Sequence, residues 1–173
     1  MNTKALVKDA ETYFEARSKE LRGEYIPYDS SKIIFAFDRD SFPEEHFNTA
    51  INMAQSRYPG CHVAWSNESF ELWLRLHFEY VSAALPRHQH NDRLTEIFRK
   101  HGVLTSRQNY AKHGKNIDNI FGEIKACGGS LEAAMNYAKK LLKSQDISSP
   151  AVANPMTMVF KAVEALKADA PKP

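Results

Sequence analysis

The apolar positions of this chain change period along its length. Ile33-Ile34-Phe35-Ala36-Phe37 is a continuous apolar run, which predicts a short strand over Lys32–Phe37 buried on both faces, as in a parallel sheet. Upstream, residues 8–22 read as a charged, weakly amphipathic helix ending near Gly23, with a turn or loop at 26–31. Downstream, Ser41-Phe42-Pro43-Glu44-Glu45 places a proline and two acids in a first helical turn. That helix runs to about Arg57 and stops at Pro59-Gly60. Cys61–Trp65 is a second strand, and strand, helix, strand predicts a right-handed crossover unit.

Beyond Trp65 the period is helical. A helix over about 69–84 puts Phe70, Trp73, Leu74, His77, Phe78 and Val81 on one face and Glu71, Arg75 and Glu79 in a stripe on another. Residues 85–92 read as a polar loop, and helices follow near 92–101 and 116–126. Ser130 caps a helix with Leu131, Ala134, Met135, Ala138, Leu141 and Leu142 inward. A last helix opens at Asn154-Pro155 and packs through Met156, Val159, Phe160, Val163 and Leu166, with a frayed tail from Ala168. The expected class is α/β, in one domain of 173 residues. A small, mainly parallel sheet flanked by helices occupies about 1–85, and a helical half about 86–167.

Composition narrows the setting. The hydrophobic share, 43%, is enough for a substantial core. Cys61 and Cys127 are too few and too far apart for a disulfide framework or a zinc site, which favours a reduced, cytoplasmic setting. No apolar run approaches the ~20 residues of a membrane span, and the N-terminus lacks a signal-peptide core. The net charge of +2 hides an asymmetry: residues 1–100 hold 13 Lys/Arg against 15 Asp/Glu, and residues 101–145 hold seven against three. The basic segment could meet phosphates, although a solvated helical face explains its lysines as well.

The candidate chemistry starts at Asp38 and Asp40. Side chains just past the carboxyl end of a strand line the ligand crevice of an α/β sheet, and alternate residues point the same way. Two hard carboxylates there suit Mg²⁺ or Mn²⁺ bridging to phosphate; the plainer reading is a loop-opening Asp and a helix N-cap. Taken singly, Glu71 reads as part of the Arg75–Glu79 ladder, and His77 as a hydrogen-bonded histidine on a core-facing stripe. His88, His90 and Asp92 have metal-like spacing, but simple solvation on a polar loop is the better reading. Tyr110, Lys112 and Lys115 could contact phosphate, with exposed lysines as the plainer account. Trp73 reads as core. No phosphate-cradling glycine loop supports a nucleotide phosphotransferase.

Four stretches resemble the RloB-like proteins. Phe37-Asp38-Arg39-Asp40 is similar to that family's strand-end Phe-Asp-x-Asp, and Ser66–Phe78 resembles its Ser-Asn-Pro-x-Phe-Glu-Leu-Trp-Leu-Leu-Leu-His-Phe signature. Tyr110-Ala111-Lys112 resembles a later Tyr-x-Lys, and Asn154-Pro155-Met156-Thr157 its terminal Asn-Pro-x-Thr. The resemblance runs from about residue 30 to 166. It implies a Toprim-like fold and a Mg²⁺-dependent (or Mn²⁺-dependent) nuclease, or nuclease subunit, in bacterial anti-phage defence. The implied substrate is DNA or RNA, and an ATPase encoded nearby is an implied partner. Asp38 and Asp40 would hold the metal. Glu71 would be a further acid or an orienting group, and His77 a proton donor or phosphate contact; Tyr110, Lys112 and Lys115 would meet phosphate. The other reading is a catalytically degenerate module that binds nucleic acid or the ATPase.

Three departures stand out. Glu68 replaces the signature's proline and Arg75 one of its leucines. Toprim-type sites also use a glutamate at the end of a first strand, in a Glu-Gly context, and no such stretch occurs here. Either the chain is truncated or diverged there, or Glu11 or Glu15 substitutes from the helix.

Overall fold

The computed structural model describes residues 3–20 and 29–170. The expected helix end at Gly23 and the first half of the 26–31 turn lie outside the described residues. So do the last three residues and the side chains of Glu11 and Glu15.

The strand–helix–strand unit forms where the apolar run and the Pro-Gly turn place it. Strand β1 (Ile34–Asp38), helix α2 (Glu44–Arg57) and strand β2 (His62–Asn67) make a crossover in which β1 and β2 are parallel. Asp38 lies in register with Ser66. Helix α1 (Thr3–Glu20) packs on α2 with Val7 fully buried. Under the sheet, Phe47 meets Phe37 and Trp65 edge-on at 5.7 Å each, a favoured geometry for aromatic rings.

The sheet is mixed: the parallel pair of β1 and β2 is joined by a short antiparallel strand. Residues 156–157, expected inside the last helix, form strand β3 (Met156–Thr157), which pairs antiparallel to β2. A proline is tolerated in a first helical turn, so Pro155 does not itself forbid the expected helix; the pairing with β2 decides the conformation. The next residues instead satisfy the free edge of β2: Thr157 shares a hydroxyl hydrogen bond with Ser66 (3.0 Å), and the Met158 N–H donates to Trp65 O (2.7 Å). Helix α8 (Val159–Asp169) follows; Phe160 is buried, whereas Leu166 is 61% exposed rather than inward.

The helical half departs from expectation at two places. Helix α3 (Glu71–Leu76) ends well before residue 84, because the His77 carbonyl accepts a hydrogen bond from the Ser130 N–H (2.8 Å). Helix α4 (Arg87–Lys100) starts where a polar loop was expected. Its inward stripe is His90, Leu94 and Phe98, all buried, so a histidine takes the place of an apolar residue at i, i+4, i+8. Helices α5 (Tyr110–His113), α6 (Ile120–Ala126) and α7 (Leu131–Ser144) complete this half. Ser130 caps α7 through its hydroxyl as expected, with Ala134, Met135, Ala138 and Leu141 buried; Leu131 is 38% exposed. Among the described residues no helix is long and apolar enough to cross a membrane.

Candidate acidic site at the end of the first strand

Three carboxylates converge on one guanidinium. Asp38 is the last residue of β1, and Asp40 follows in the turn to α2. Asp40 adopts a positive φ of 51°, a left-handed conformation that aspartate tolerates better than most residues. Its N–H donates to Glu68 O and that of Arg39 to Ser66 O, both at 2.9 Å, which ties this turn to the loop after β2. Glu71 comes from the first turn of α3. Arg87, the first residue of α4, reaches all three: Asp40 at 3.0 Å, Asp38 at 3.6 Å and Glu71 at 3.6 Å.

The cluster is short of positive charge. Burial raises the Asp38 carboxyl from the ordinary 3.8 to about 6; a Phe70 N–H hydrogen bond and Arg87 lower it, while Glu71 and Asp40 raise it. Glu71 Oε2 is buried with no hydrogen-bond partner. Tyr110, at the start of α5, is buried beside this group, and burial followed by the Glu71 charge pushes its phenol well above the ordinary range. Glu71 is therefore not part of a solvated stripe. The i,i+4 ladder keeps only its second half, Arg75 to Glu79 (2.5 Å), and Arg93 joins Glu79 from α4.

The remaining expected residues divide. His77 is buried on the far side of α3 from Glu71. Its Nδ1 faces the Trp73 carbonyl at 3.0 Å and its ring meets Trp73 and Phe121. Burial lowers its pKa, and none of these contacts reaches the carboxylates. Lys112 and Lys115 are exposed, next to Tyr110 in sequence, and neither makes an ion pair among the described residues. Trp73 is core, as expected. His88 and Asp92 are exposed on α4. His90, expected to be solvated, is instead buried; burial first and Arg75 second lower its pKa to about 4.

Arg87 was hidden in the sequence because its acidic partners are remote along the chain. One signal was available: a cation directly after Pro86, in a helical first turn, stands where the helix dipole favours an anion. Tyr110 is held by its neighbours. Its N–H donates to Thr95 Oγ1 (2.9 Å), and a Cβ added at Gly114 would overlap its ring. Gly114→Ala is accordingly expected to cost about 1–3 kcal/mol by forcing Tyr110 out of place, read as a lower urea midpoint with an unchanged slope.

A family model described as RloB-like protein matches residues 1–166 of the chain. The chain belongs to the RloB-like family. No curated protein and no solved structure matches it. The stretches that resemble the family thus have two parts in space: Asp38, Asp40 and Glu71 gather around Arg87, with Tyr110 close enough to feel the Glu71 charge, while Asn67, Trp73 and His77 face the interior.

The donor set suits a hard divalent cation, being carboxylate oxygen throughout. Among the described residues no group of three or more His, Cys, Asp or Glu side chains is arranged as a metal cage. The three carboxylates are spread around a guanidinium instead.

Proposed function

We propose that this RloB-like chain is a Toprim-type, Mg²⁺- or Mn²⁺-dependent nuclease, or a nuclease subunit, acting on DNA or RNA in anti-phage defence. The observation that carries this reading is the convergence of Asp38, Asp40 and Glu71 from two elements onto a single cation that leaves them under-neutralised. Asp38 and Asp40 would hold the metal, and Glu71 would ligate it or orient a ligand. A bound ion supplies Lewis-acid stabilisation of a phosphoryl oxygen and a more acidic water. The chain's own residues do the rest. The buried floor around Tyr110 limits water, and Lys112 and Lys115 offer positive charge on the solvent side for a phosphate backbone. His77 has no part in this scheme, because its contacts lie elsewhere.

Cleavage of plasmid DNA and bulk RNA with Mg²⁺, Mn²⁺ or EDTA tests the reading, with Asp40→Asn beside the wild type. Metal-dependent cleavage that drops by about a thousandfold or more in the variant is expected, as for loss of a group essential to transition-state stabilisation. Cleavage unaffected by EDTA or by the substitution would sink it.

The second reading is a non-catalytic module that binds nucleic acid or an ATPase. It draws on the presence of Arg87 among the carboxylates. It expects partner binding to be indifferent to Asp40→Asn.

A further inference from the structure

We propose that Arg87 is the resident counter-cation of the carboxylate cluster, exchanged for a divalent ion on metal binding and then turned to a phosphate of the nucleic-acid strand. The inference rests on the metal-dependent reading above and assigns a role to a residue that reading leaves out.

The contacts are those of a cation held mainly by charge. Of the three approaches only Nη1 to Asp40, at 3.0 Å, is at hydrogen-bond distance; those to Asp38 and Glu71 are 3.6 Å. Arg87 Nε and Glu71 Oε2 are both buried without a hydrogen-bond partner. A planar guanidinium matches one carboxylate in a two-pronged grip. Shared among three, it satisfies none of them fully. A small hard ion accepts oxygens from several directions and carries twice the charge. The two cations therefore compete for the same oxygens.

Position makes exchange cheap. Arg87 is the first residue of a 14-residue helix, Pro86 precedes it, and no side chain caps that end. Its side chain is 34% exposed, so rotation about its own bonds carries the guanidinium outward while the backbone stays in place. Without the carboxylates, the α4 N-terminus disfavours a cation but favours a phosphate. A strand phosphate near this end would meet both the helix N–H groups and the released guanidinium, beside the metal that the carboxylates hold. One group would thus neutralise the empty site and recognise substrate in the loaded one.

Calorimetric titration with Mn²⁺, without substrate, tests the exchange in wild type, Arg87→Gln and Arg87→Lys, with folding checked by circular dichroism. Arg87→Gln is expected to bind Mn²⁺ about tenfold more tightly, roughly the effect of removing 1.4 kcal/mol of competition. In the presence of Mg²⁺ it should bind a single-stranded oligonucleotide about tenfold more weakly. The Arg87 side-chain N–H resonance of the wild type, assigned by its loss in Arg87→Gln, should shift on Mg²⁺ addition. Arg87→Lys keeps the charge but cannot span three carboxylates, so its affinity should fall between the two. A folded Arg87→Gln that binds Mn²⁺ no better than wild type would mean that Arg87 organises the carboxylates, overturning the exchange and leaving the metal site standing. Absence of Mn²⁺ binding in all three proteins would overturn the metal site as well.

Discussion

Asp38→Asn is expected to stabilise the metal-free fold by about 2–3 kcal/mol at about pH 8, at roughly 1.4 kcal/mol per pKa unit, and under the proposed function to remove metal-dependent cleavage. The stabilisation follows from the raised carboxyl, about 6 in the fold against the ordinary 3.8. A group whose folded pKa is raised holds its proton longer in the fold than in the unfolded chain. Its contribution is therefore neutral to the fold below 3.8, turns progressively against it as pH rises towards 6, and reaches its full cost above that. Asparagine keeps the shape and an oxygen for the Phe70 N–H but carries no charge. The stability difference between variant and wild type should thus be small near pH 4 and grow to a plateau above pH about 6. His90 has the opposite slope. Its pKa is lowered to about 4 from 6.5, so it contributes stability above 6.5 that is lost as pH falls towards 4. In the wild type the two trends offset each other across this window, and Asp38→Asn should expose the His90 slope. Urea titrations in EDTA across that range give the curves; a variant less stable than wild type at alkaline pH would refute the account. A position that weakens the fold yet gathers its acids on one cation is what a binding site looks like energetically.

How much of this was legible depends on how local each cause is. The first crossover was readable because Ile33–Phe37 is apolar on consecutive positions and Pro59-Gly60 marks a break. The end of α3 was not, since the hydrogen bond that takes the His77 carbonyl comes from Ser130, on a distant segment. The start of α4 was missed because a histidine stands in its apolar stripe. Strand β3 is two residues long and exists only against β2. The same division runs through the site. Asp38 and Asp40 share one strand end, so spacing alone paired them. Glu71 opens α3 and His77 is its C-cap, but six residues are a rotation of about 240°. That turn sends the glutamate to Arg87 and the histidine to Trp73 and Phe121. Arg87 needed the tertiary fold.

Asn67→Asp should cause the largest loss of stability, about 3–5 kcal/mol at neutral pH, as expected when a buried charge is left without a partner. Asn67 is wholly buried. Its amide Nδ2 donates to the carbonyls of Ala151 (2.8 Å) and Ala153 (2.9 Å), with Pro150 O at 3.4 Å. Three acceptors around one side-chain end demand a donor there. A carboxylate would point its charge at carbonyl oxygens, while the amide clamps the segment that carries β3 to the end of β2. The neighbouring Ser66–Thr157 hydrogen bond completes the clamp, and Ser66 is the residue in register with Asp38. Loosening the clamp therefore reaches the acidic cluster through one strand pairing. Asn67→Ala leaves the carbonyls unpartnered without adding charge, and should cost less, about 1–3 kcal/mol. Part of the aspartate deficit should return at low pH, because a protonated carboxyl can donate one hydrogen bond. Urea unfolding followed by tryptophan fluorescence at acidic and neutral pH separates these terms. An Asn67→Asp protein as stable as Asn67→Ala at neutral pH would show that the three carbonyls do not set the demand. The Ser-Asn pair of the signature is then explained by what it holds rather than by what it reacts with: it anchors the strand from whose neighbour Asp38 and Asp40 project.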